Sequence, residues 1–193
     1  MIAVFDYGAG NLRSVANTLE EAGCEYTLVR DAEGLRAASK ILLPGVGHFG
    51  QMMGALDALG VRETLRERLA AGVPFLGICL GMQALFDGSE EAPGVPGLGV
   101  LPGMVRLFPP GLRVPHMGWN QVENVAVRPP RPGPFVYFAH SFYVPENEFA
   151  REVCAYGVRF TAALQKANVS GVQYHPEKSG AAGLEVIRGF AAC

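Results

Sequence analysis

The sequence predicts an α/β fold, in which a central, mostly parallel sheet is flanked by helices and extended by antiparallel strands. Short apolar runs alternate with helical patterns through the first half of the chain, the order typical of a parallel sheet covered on both faces. After Asp87 the runs resemble strands without intervening helices, and such strands usually pair antiparallel. With 193 residues, 49% of them hydrophobic, the chain can bury one sizeable core. We therefore expect residues 1–193 to form a single domain.

The first half of the chain contains four short apolar runs that predict strands. They span residues 2–5, 26–29, 41–43 and 75–78. Between them apolar residues recur at helical spacing, for example at Leu12, Val15 and Leu19, and a glycine follows several of these segments. The predicted helices span residues 11–22, 32–38, 51–59 and 62–71, and another begins over residues 82–86.

The second half of the chain differs in composition, and it begins with a stretch rich in proline and glycine at residues 93–103. Strands are predicted at 105–108, 118–122, 135–144, 153–156 and 160–165. A strand at 169–174 could return to the central sheet, and residues 183–192 predict a closing helix. The proline-rich run 128–134 predicts a stiff surface loop, with a proline-rich ligand for a partner as the alternative.

Charge and hydropathy exclude several classes of function. The net charge is -2 and arginines are scattered along the chain, so no basic stripe favours nucleic acid as a partner. The first apolar run is broken by Asp6 and Gly8, which argues against a signal peptide and against a membrane span of about 20 residues. We expect a cytoplasmic protein that does not associate with membranes.

The cysteine pattern argues against a metal site. Four cysteines lie far apart without a C-x-x-C pair, and neither a zinc site nor a disulfide framework is expected. We expect no metal and no cofactor, and at least three of the cysteines as plain buried thiols. The cysteines are Cys24, Cys79, Cys154 and Cys193.

The stretch from Gly8 to Arg13 resembles a dinucleotide-binding fingerprint, since it follows a predicted strand and opens a helix. The match fails at its third glycine, where Arg13 stands instead of a small residue. A tight strand-to-helix turn is therefore expected, and a nucleotide-binding oxidoreductase is the alternative.

Gly77-Ile78-Cys79-Leu80-Gly81 has the form of a nucleophile elbow, a sharp turn between a strand and a helix, with cysteine as the nucleophile. Flanking glycines are needed there because strand and helix pass close together. The helix start favours the thiolate of Cys79, and the N–H of Leu80 can face an oxyanion. The alternative is a small apolar residue packed beneath a strand end.

A thiol nucleophile needs a base, and His175 follows the predicted strand 169–174. Glu177 stands two residues later and can fix the tautomer of the imidazole. No other histidine is followed so closely by a carboxylate. The turn Pro44-Gly45-Val46-Gly47 ends a strand expected beside Cys79, and it could provide a second oxyanion donor from Val46 or Gly47.

Together these residues resemble the class I, or triad, glutamine amidotransferases, whose glutaminase domain carries G-x-C-x-G, a distant H-P-E and an oxyanion P-G turn. The resemblance covers essentially the whole chain. Its supporting stretches are 6–12, 44–47, 77–83, 115–120, 137–142 and 175–178. It implies the fold of that family and hydrolysis of glutamine, in which Cys79 attacks the carboxamide and a γ-glutamyl thioester forms.

The resemblance also implies how glutamine is held. In the family the side chain matching Gln83 and an acid matching Glu91 contact the substrate, with backbone around His140, Ser141 and Phe142 for its carboxylate. From the sequence alone Glu91 can equally be a solvated loop charge, and His140 a structural histidine.

Ammonia released into water becomes ammonium, which is not a nucleophile, so it must reach the site that uses it through a dry passage. No second active site is visible in this chain, and a partner subunit is therefore expected to carry it. The resemblance implies a (β/α)₈-barrel cyclase subunit as the partner in a heterodimer, and weak glutaminase activity until it binds. The candidate docking residues are Asn11, Met117, Trp119, Asn120, Tyr137 and Lys178. The alternatives are another triad amidotransferase, a stand-alone thiol hydrolase of γ-glutamyl peptides and a non-catalytic binding subunit.

Overall fold

A computed structural model describes residues 1–193, which form twelve strands, six α-helices and one 3₁₀-helix. The helices are α1 (Leu12–Glu21), α2 (Ala32–Ala37), α3 (Phe49–Ala58), α4 (Arg62–Ala70), α5 (Leu80–Gln83) and α6 (Gly180–Ala192), with the 3₁₀-helix at Pro176–Lys178. The strands are β1 (Ile2–Phe5), β2 (Tyr26–Val29), β3 (Lys40–Gly45), β4 (Phe75–Cys79), β5 (Gly88–Ser89), β6 (Met104–Leu107), β7 (His116–Asn124), β8 (Arg131–His140), β9 (Phe142–Tyr143), β10 (Ala150–Tyr156), β11 (Val158–Lys166) and β12 (Val169–Val172).

Nine of the strands form one sheet in the order β2-β1-β3-β4-β12-β11-β10-β7-β8. The first five run parallel, and every pairing from β12 to β8 is antiparallel. The predicted parallel sheet with an antiparallel extension is therefore confirmed. Strand β12 returns to the centre of the sheet between β4 and β11, as its sequence suggested. A second, three-stranded sheet has the order β5-β6-β9.

Helices cover both faces of the parallel strands, because these strands are apolar on both sides. One buried cluster joins Ala3 and Phe5 of β1 to α2, α3 and α4, and a second joins Ile2 and Val4 to α1 and α6. The carboxyl ends of β3, β4 and β12 consequently lie at one edge between these two layers, where α/β folds place their sites.

The glycine-rich stretch after β1 forms a tight strand-to-helix turn, as predicted. Asp6 accepts a hydrogen bond from the backbone N–H of Gly8 (2.9 Å) and pairs with Arg30. The side chain of Asn11 caps α1 by accepting from the N–H of Ser14 (3.4 Å).

Three predicted segments differ from the structure. The helix after Cys79 ends at Gln83, because the carbonyls of Ala84, Leu85 and Phe86 accept hydrogen bonds from the loop at 98–101 instead of from a further helical turn. The predicted strand 135–144 is divided between β8 and β9, since Phe142 and Tyr143 pair with β6. The proline-rich run is only partly a loop: its residues from Arg131 onward begin β8, the edge strand of the large sheet, where proline is tolerated.

None of the helices combines the length and the apolar character that crossing a membrane requires.

Candidate active site

Cys79 stands at the carboxyl end of β4, on a strained turn. Its φ of 53° and ψ of -109° lie where residues with side chains are uncommon. A Cβ on Gly77 would lie 2.5 Å from the carbonyl oxygen of Gly81, and one on Gly81 would overlap the carbonyl oxygen of Leu43. Both glycines are therefore required by the close approach of β3, β4 and α5, which is the arrangement that the motif predicted.

His175 follows β12, the strand beside β4, and it lies against Cys79 at the same sheet edge. Its Nδ1 is 2.8 Å from Oε1 of Glu177, and both side chains are buried. Burial lowers the pKa of His175, but hydrogen bonds and charge interactions with Cys79 and Glu177 outweigh it and raise the pKa from 6.5 to about 10. The raised pKa favours the protonated imidazole beside the Glu177 carboxylate, and this suits a base that accepts a proton from a thiol.

The His175 segment is itself fixed by its neighbours. The backbone N–H of His175 donates to the carbonyl of Tyr137 on β8 (2.9 Å), and its carbonyl accepts from the hydroxyl of Ser179 (2.7 Å). Gly183 at the start of α6 packs so closely on Pro176 that a Cβ there would overlap the proline carbonyl. Sheet and helix together thus hold the imidazole in place.

A cavity of about 290 Å³ opens at Cys79. It is lined by ten of the eleven residues predicted for catalysis, the oxyanion site and substrate binding: Val46, Gly47, Cys79, Leu80, Gln83, Glu91, His140, Ser141, Phe142 and His175. Glu177 lies behind His175 and outside this lining. The volume suits a small molecule. No three His, Cys, Asp or Glu side chains come together in an arrangement that could hold a metal ion.

The turn after β3 faces Cys79, with Gly45 paired to it in the strand register. The backbone N–H of Val46 donates to the hydroxyl of Tyr7 (3.2 Å), and this hydroxyl donates to the carbonyl of the same residue (3.2 Å). The Val46 amide is thus engaged by Tyr7 in this conformation. Gly47 has a φ of +95°, so it can take backbone conformations that would strain other residues. Sequence reasoning missed Tyr7, although it precedes the glycine-rich turn directly.

Glu91 lies half-buried at the cavity wall, where it accepts a hydrogen bond from the N–H of Phe49 (2.7 Å). Its other oxygen makes no hydrogen bond within the chain. Lys178 also lines the cavity. An anion and a cation facing one small cavity suit an amino acid zwitterion.

His140 and His116 are buried among aromatic rings and remain neutral. Burial lowers the pKa of His140 to about 3 and that of His116 to about 4. Nδ1 of His140 bonds the carbonyl of Phe142 (2.8 Å), so it carries the proton, and Nε2 accepts from Nδ1 of His116 (3.1 Å). His140 thereby fixes the backbone of the Ser141–Phe142 segment. It has this structural role and also lines the cavity.

The sulfur of Cys79 has a polar neighbour that sequence reasoning missed. Nε2 of Gln173 donates to Sγ (3.5 Å), and Gln83 donates to Oε1 of Gln173 (2.9 Å). The available signal was the polar Gln173 between the apolar Val172 and Tyr174, and it does not show which residue Gln173 contacts.

Four of the six docking candidates form one patch beside the cavity. Trp119 and Met117 are 57% and 64% exposed, and the Trp119 ring meets the Tyr137 ring edge to face at 6.2 Å. Nζ of Lys178 lies 5.2 Å from the centre of the Tyr137 ring. Asn120 points to the other side of β7, where it donates to the carbonyl of Ala155 (3.2 Å). Asn11 is the exposed cap of α1.

Known proteins resemble this chain over nearly its whole length. The family model described as glutamine amidotransferase class-I matches residues 3–192. The chain is 48% identical over 194 residues to a protein of Methanothermobacter thermautotrophicus (98% of this chain, 97% of the relative). It is 50% identical over 185 residues to one of Thermus thermophilus (95% of this chain, 93% of the relative). Both relatives are described as imidazole glycerol phosphate synthase subunit HisH.

Solved structures share the fold at low sequence identity. A structure described as glutamine amidotransferase matches with a TM-score of 0.79 at 20% identity, covering 100% of this chain and 99% of that one. The structure of PurLQS from Thermotoga maritima matches with a TM-score of 0.75 at 21% identity, covering 99% and 96%.

Proposed function

Because this chain belongs to the class I glutamine amidotransferase family, we propose that it is the glutaminase subunit of an imidazole glycerol phosphate synthase. The observation that carries the proposal is full-length similarity at 44–50% identity to relatives described as subunits of that synthase. Their similarity extends over the elements that bring Cys79, His175 and Glu177 together. The family inferred from the sequence motifs is thereby confirmed.

The chemistry proposed is hydrolysis of glutamine through a thioester. Sγ of Cys79 attacks the carboxamide carbon, and His175 delivers a proton to the nitrogen, so that the C–N bond breaks and ammonia leaves. Water then attacks the γ-glutamyl thioester, releases glutamate and restores the thiol. Glu177 holds the His175 tautomer and stabilises its cation. The N–H of Leu80 opposes the developing oxyanion, with Val46 or Gly47 as the second donor.

Glutamine is proposed to lie in the cavity beside Cys79. Glu91 opposes the ammonium group, and the backbone of the segment 140–142 receives the carboxylate. Gln83 contributes its free carbonyl oxygen, because its NH₂ group is already bonded to Phe142 and Gln173. What supports this placement is the half-buried Glu91 carboxylate at the wall of a cavity that fits one small molecule, with Lys178 adding a positive charge to the same lining.

The ammonia is proposed to pass to a (β/α)₈-barrel cyclase subunit, with which this chain forms a cytoplasmic heterodimer. The cyclase uses it to convert a phosphoribulosyl formimino nucleotide into imidazole glycerol phosphate and an aminoimidazole carboxamide ribotide in histidine biosynthesis. The patch of Met117, Trp119, Tyr137 and Lys178 supports docking over the cavity, because tryptophan and tyrosine are enriched at interface hot spots and Met117 and Lys178 line the cavity itself.

Activity is proposed to depend on the partner through the turn 45–47. In the conformation described here Tyr7 binds the Val46 amide, which leaves that N–H unavailable to an oxyanion. Docking would have to turn this peptide toward Cys79 to complete the oxyanion site.

The test is a comparison of nitrogen sources in the assembled complex. Cys79→Ala should abolish synthesis from glutamine while synthesis from added ammonium is retained, and Cys24→Ala, a half-exposed cysteine far from the cavity, should retain both. A Cys79→Ala complex that still uses glutamine would refute the assignment. Full hydrolysis of γ-glutamyl peptides by the isolated chain would favour a stand-alone hydrolase instead.

A further inference from the structure

Gln173 is a fully buried polar residue that the mechanism above does not use. It follows β12 directly and stands two residues before His175. Its Nε2 lies 3.5 Å from Sγ of Cys79, and its Oε1 lies 2.9 Å from Nε2 of Gln83. Both ends of this amide are therefore occupied, one by the nucleophile and the other by a residue of the cavity wall.

The orientation of the Gln173 amide is dictated by its neighbours. Gln83 contacts the carbonyl oxygen of Phe142 at 2.9 Å, and a carbonyl can only accept, so the NH₂ group of Gln83 must face it. The same NH₂ group also contacts Gln173, so the atom of Gln173 that accepts this bond must be its carbonyl oxygen. The NH₂ group of Gln173 is thus left facing the sulfur. His140 also donates to the carbonyl oxygen of Phe142, and this second bond fixes the first member of the hydrogen-bond series that ends at Cys79.

A donor aimed at sulfur has a chemical consequence. A hydrogen bond to the charged form of a group favours that form, and bonds to ions are stronger than bonds between neutral groups. We infer that Gln173 donates a hydrogen bond to the Cys79 sulfur that stabilises its thiolate form and directs it toward the cavity. This inference rests on the proposed function only in naming Cys79 as the nucleophile.

The alternative is that Gln173 only fills space beside Cys79, and substitutions that keep its volume distinguish the two roles. Glutamate has the shape of glutamine and can still accept from Gln83, whereas methionine fills similar volume without any donor. If Gln173 only fills space, Gln173→Met preserves the reactivity of Cys79 at neutral pH. If it donates, Gln173→Met lowers that reactivity, because no donor then faces the sulfur.

The experiment measures alkylation of Cys79 by iodoacetamide as a function of pH, with each cysteine resolved by peptide mass spectrometry. At neutral pH we expect Gln173→Met to slow alkylation of Cys79 about tenfold, the worth of one charge-assisted hydrogen bond. The rate should recover at high pH, where the thiolate forms without help. Gln173→Glu should slow it further. The control is Thr161→Val, which removes a fully buried hydroxyl from the neighbouring strand β11 without touching the cavity.

The outcomes separate this inference from the proposed function. Unchanged alkylation in folded Gln173→Met, or wild-type alkylation in Gln173→Glu, would overturn the donor role. Because alkylation needs neither glutamine nor a partner, it tests Gln173 even if the chain proved not to hydrolyse glutamine. Thermal unfolding of each variant confirms that it is folded, and Gln173→Leu, which also lacks a donor, replaces Gln173→Met if that variant does not fold.

Discussion

His175 and Glu177 are joined by a hydrogen bond of 2.8 Å between the imidazole Nδ1 and a carboxylate oxygen, and neither side chain is exposed to more than a trace of solvent. Because Nδ1 is occupied by the carboxylate, Nε2 is the nitrogen left to exchange a proton with Cys79. The orientation of the base therefore depends on a residue that does not touch the substrate.

Glu177→Gln should leave the fold intact but lower kcat by about 10² to 10⁴, because the imidazole loses both its orienting partner and the charge that stabilises its cation. The pKa of His175, raised to about 10 by Cys79 and Glu177, should fall. Titration of the imidazole by NMR measures this shift. An unchanged titration with lost activity would contradict this explanation.

The interaction between His175 and Glu177 also makes the stability of the wild-type protein depend on pH, and Glu177→Gln removes this dependence. A folded-state pKa above the ordinary value stabilises the fold below about pH 6.5, and this contribution disappears as the pH rises through about 10. The free energy of unfolding of Glu177→Gln should therefore fall below that of the wild type near neutral pH and converge with it towards pH 10. Urea denaturation at several pH values checks this, and a constant difference would speak against it.

Gly81→Ala should destabilise the protein by about 3 kcal/mol or more, because the added Cβ would overlap the carbonyl oxygen of Leu43. The matched control is Gly54→Ala, an exposed position inside α3 where a Cβ meets nothing within 4 Å. That change should instead stabilise by about 0.5–1 kcal/mol. Urea denaturation compares the two, and equal effects would show that the close approach at Gly81 is not required.

Tyr7→Phe removes the hydroxyl that binds both the N–H and the carbonyl of Val46. Without it the turn 45–47 should reorient more easily, so the isolated chain should release glutamate from glutamine several-fold faster than the wild type. The partner-bound rate should change little. A lower rate with and without the partner would mean that Tyr7 supports the active conformation rather than the resting one.

Trp119→Ala should weaken binding to the cyclase subunit about tenfold or more, as expected of a tryptophan at an interface centre. It should hardly affect folding, because the side chain is 57% exposed. Leu28→Ala provides the control, since Leu28 is also exposed but lies on β2, at the opposite edge of the sheet from β8. Equal affinities of both variants for the cyclase would remove Trp119 from the docking surface.

Local patterns were sufficient to predict the elements that carry the chemistry. The spacing of Gly77, Cys79 and Gly81 follows from the steric demands of a strand turning sharply into a helix, and such demands are visible in a short stretch of sequence. The parallel strands were equally clear, because burial on both faces produces continuous apolar runs. Position along the chain could then place Cys79 and His175 at the same sheet edge.

The missed residues act through contacts between distant parts of the chain. Tyr7 meets Val46 across 39 residues and Gln173 meets Cys79 across 94, and no local pattern marks either contact. The side of β7 on which Asn120 lies was open to prediction, since strand residues alternate in direction and Trp119 stands next to it. The early end of α5 depends on the loop at 98–101, which competes for its carbonyls.

The central claim is that Cys79, beside His175, attacks the glutamine carboxamide. A diazo ketone that mimics glutamine should label Cys79 in the partner-bound complex, as read by peptide mass spectrometry, and leave Cys24, Cys154 and Cys193 unmodified. Glutamine should protect Cys79 from labelling. An unmodified Cys79 in the assembled complex, or an adduct on another cysteine, would contradict the account.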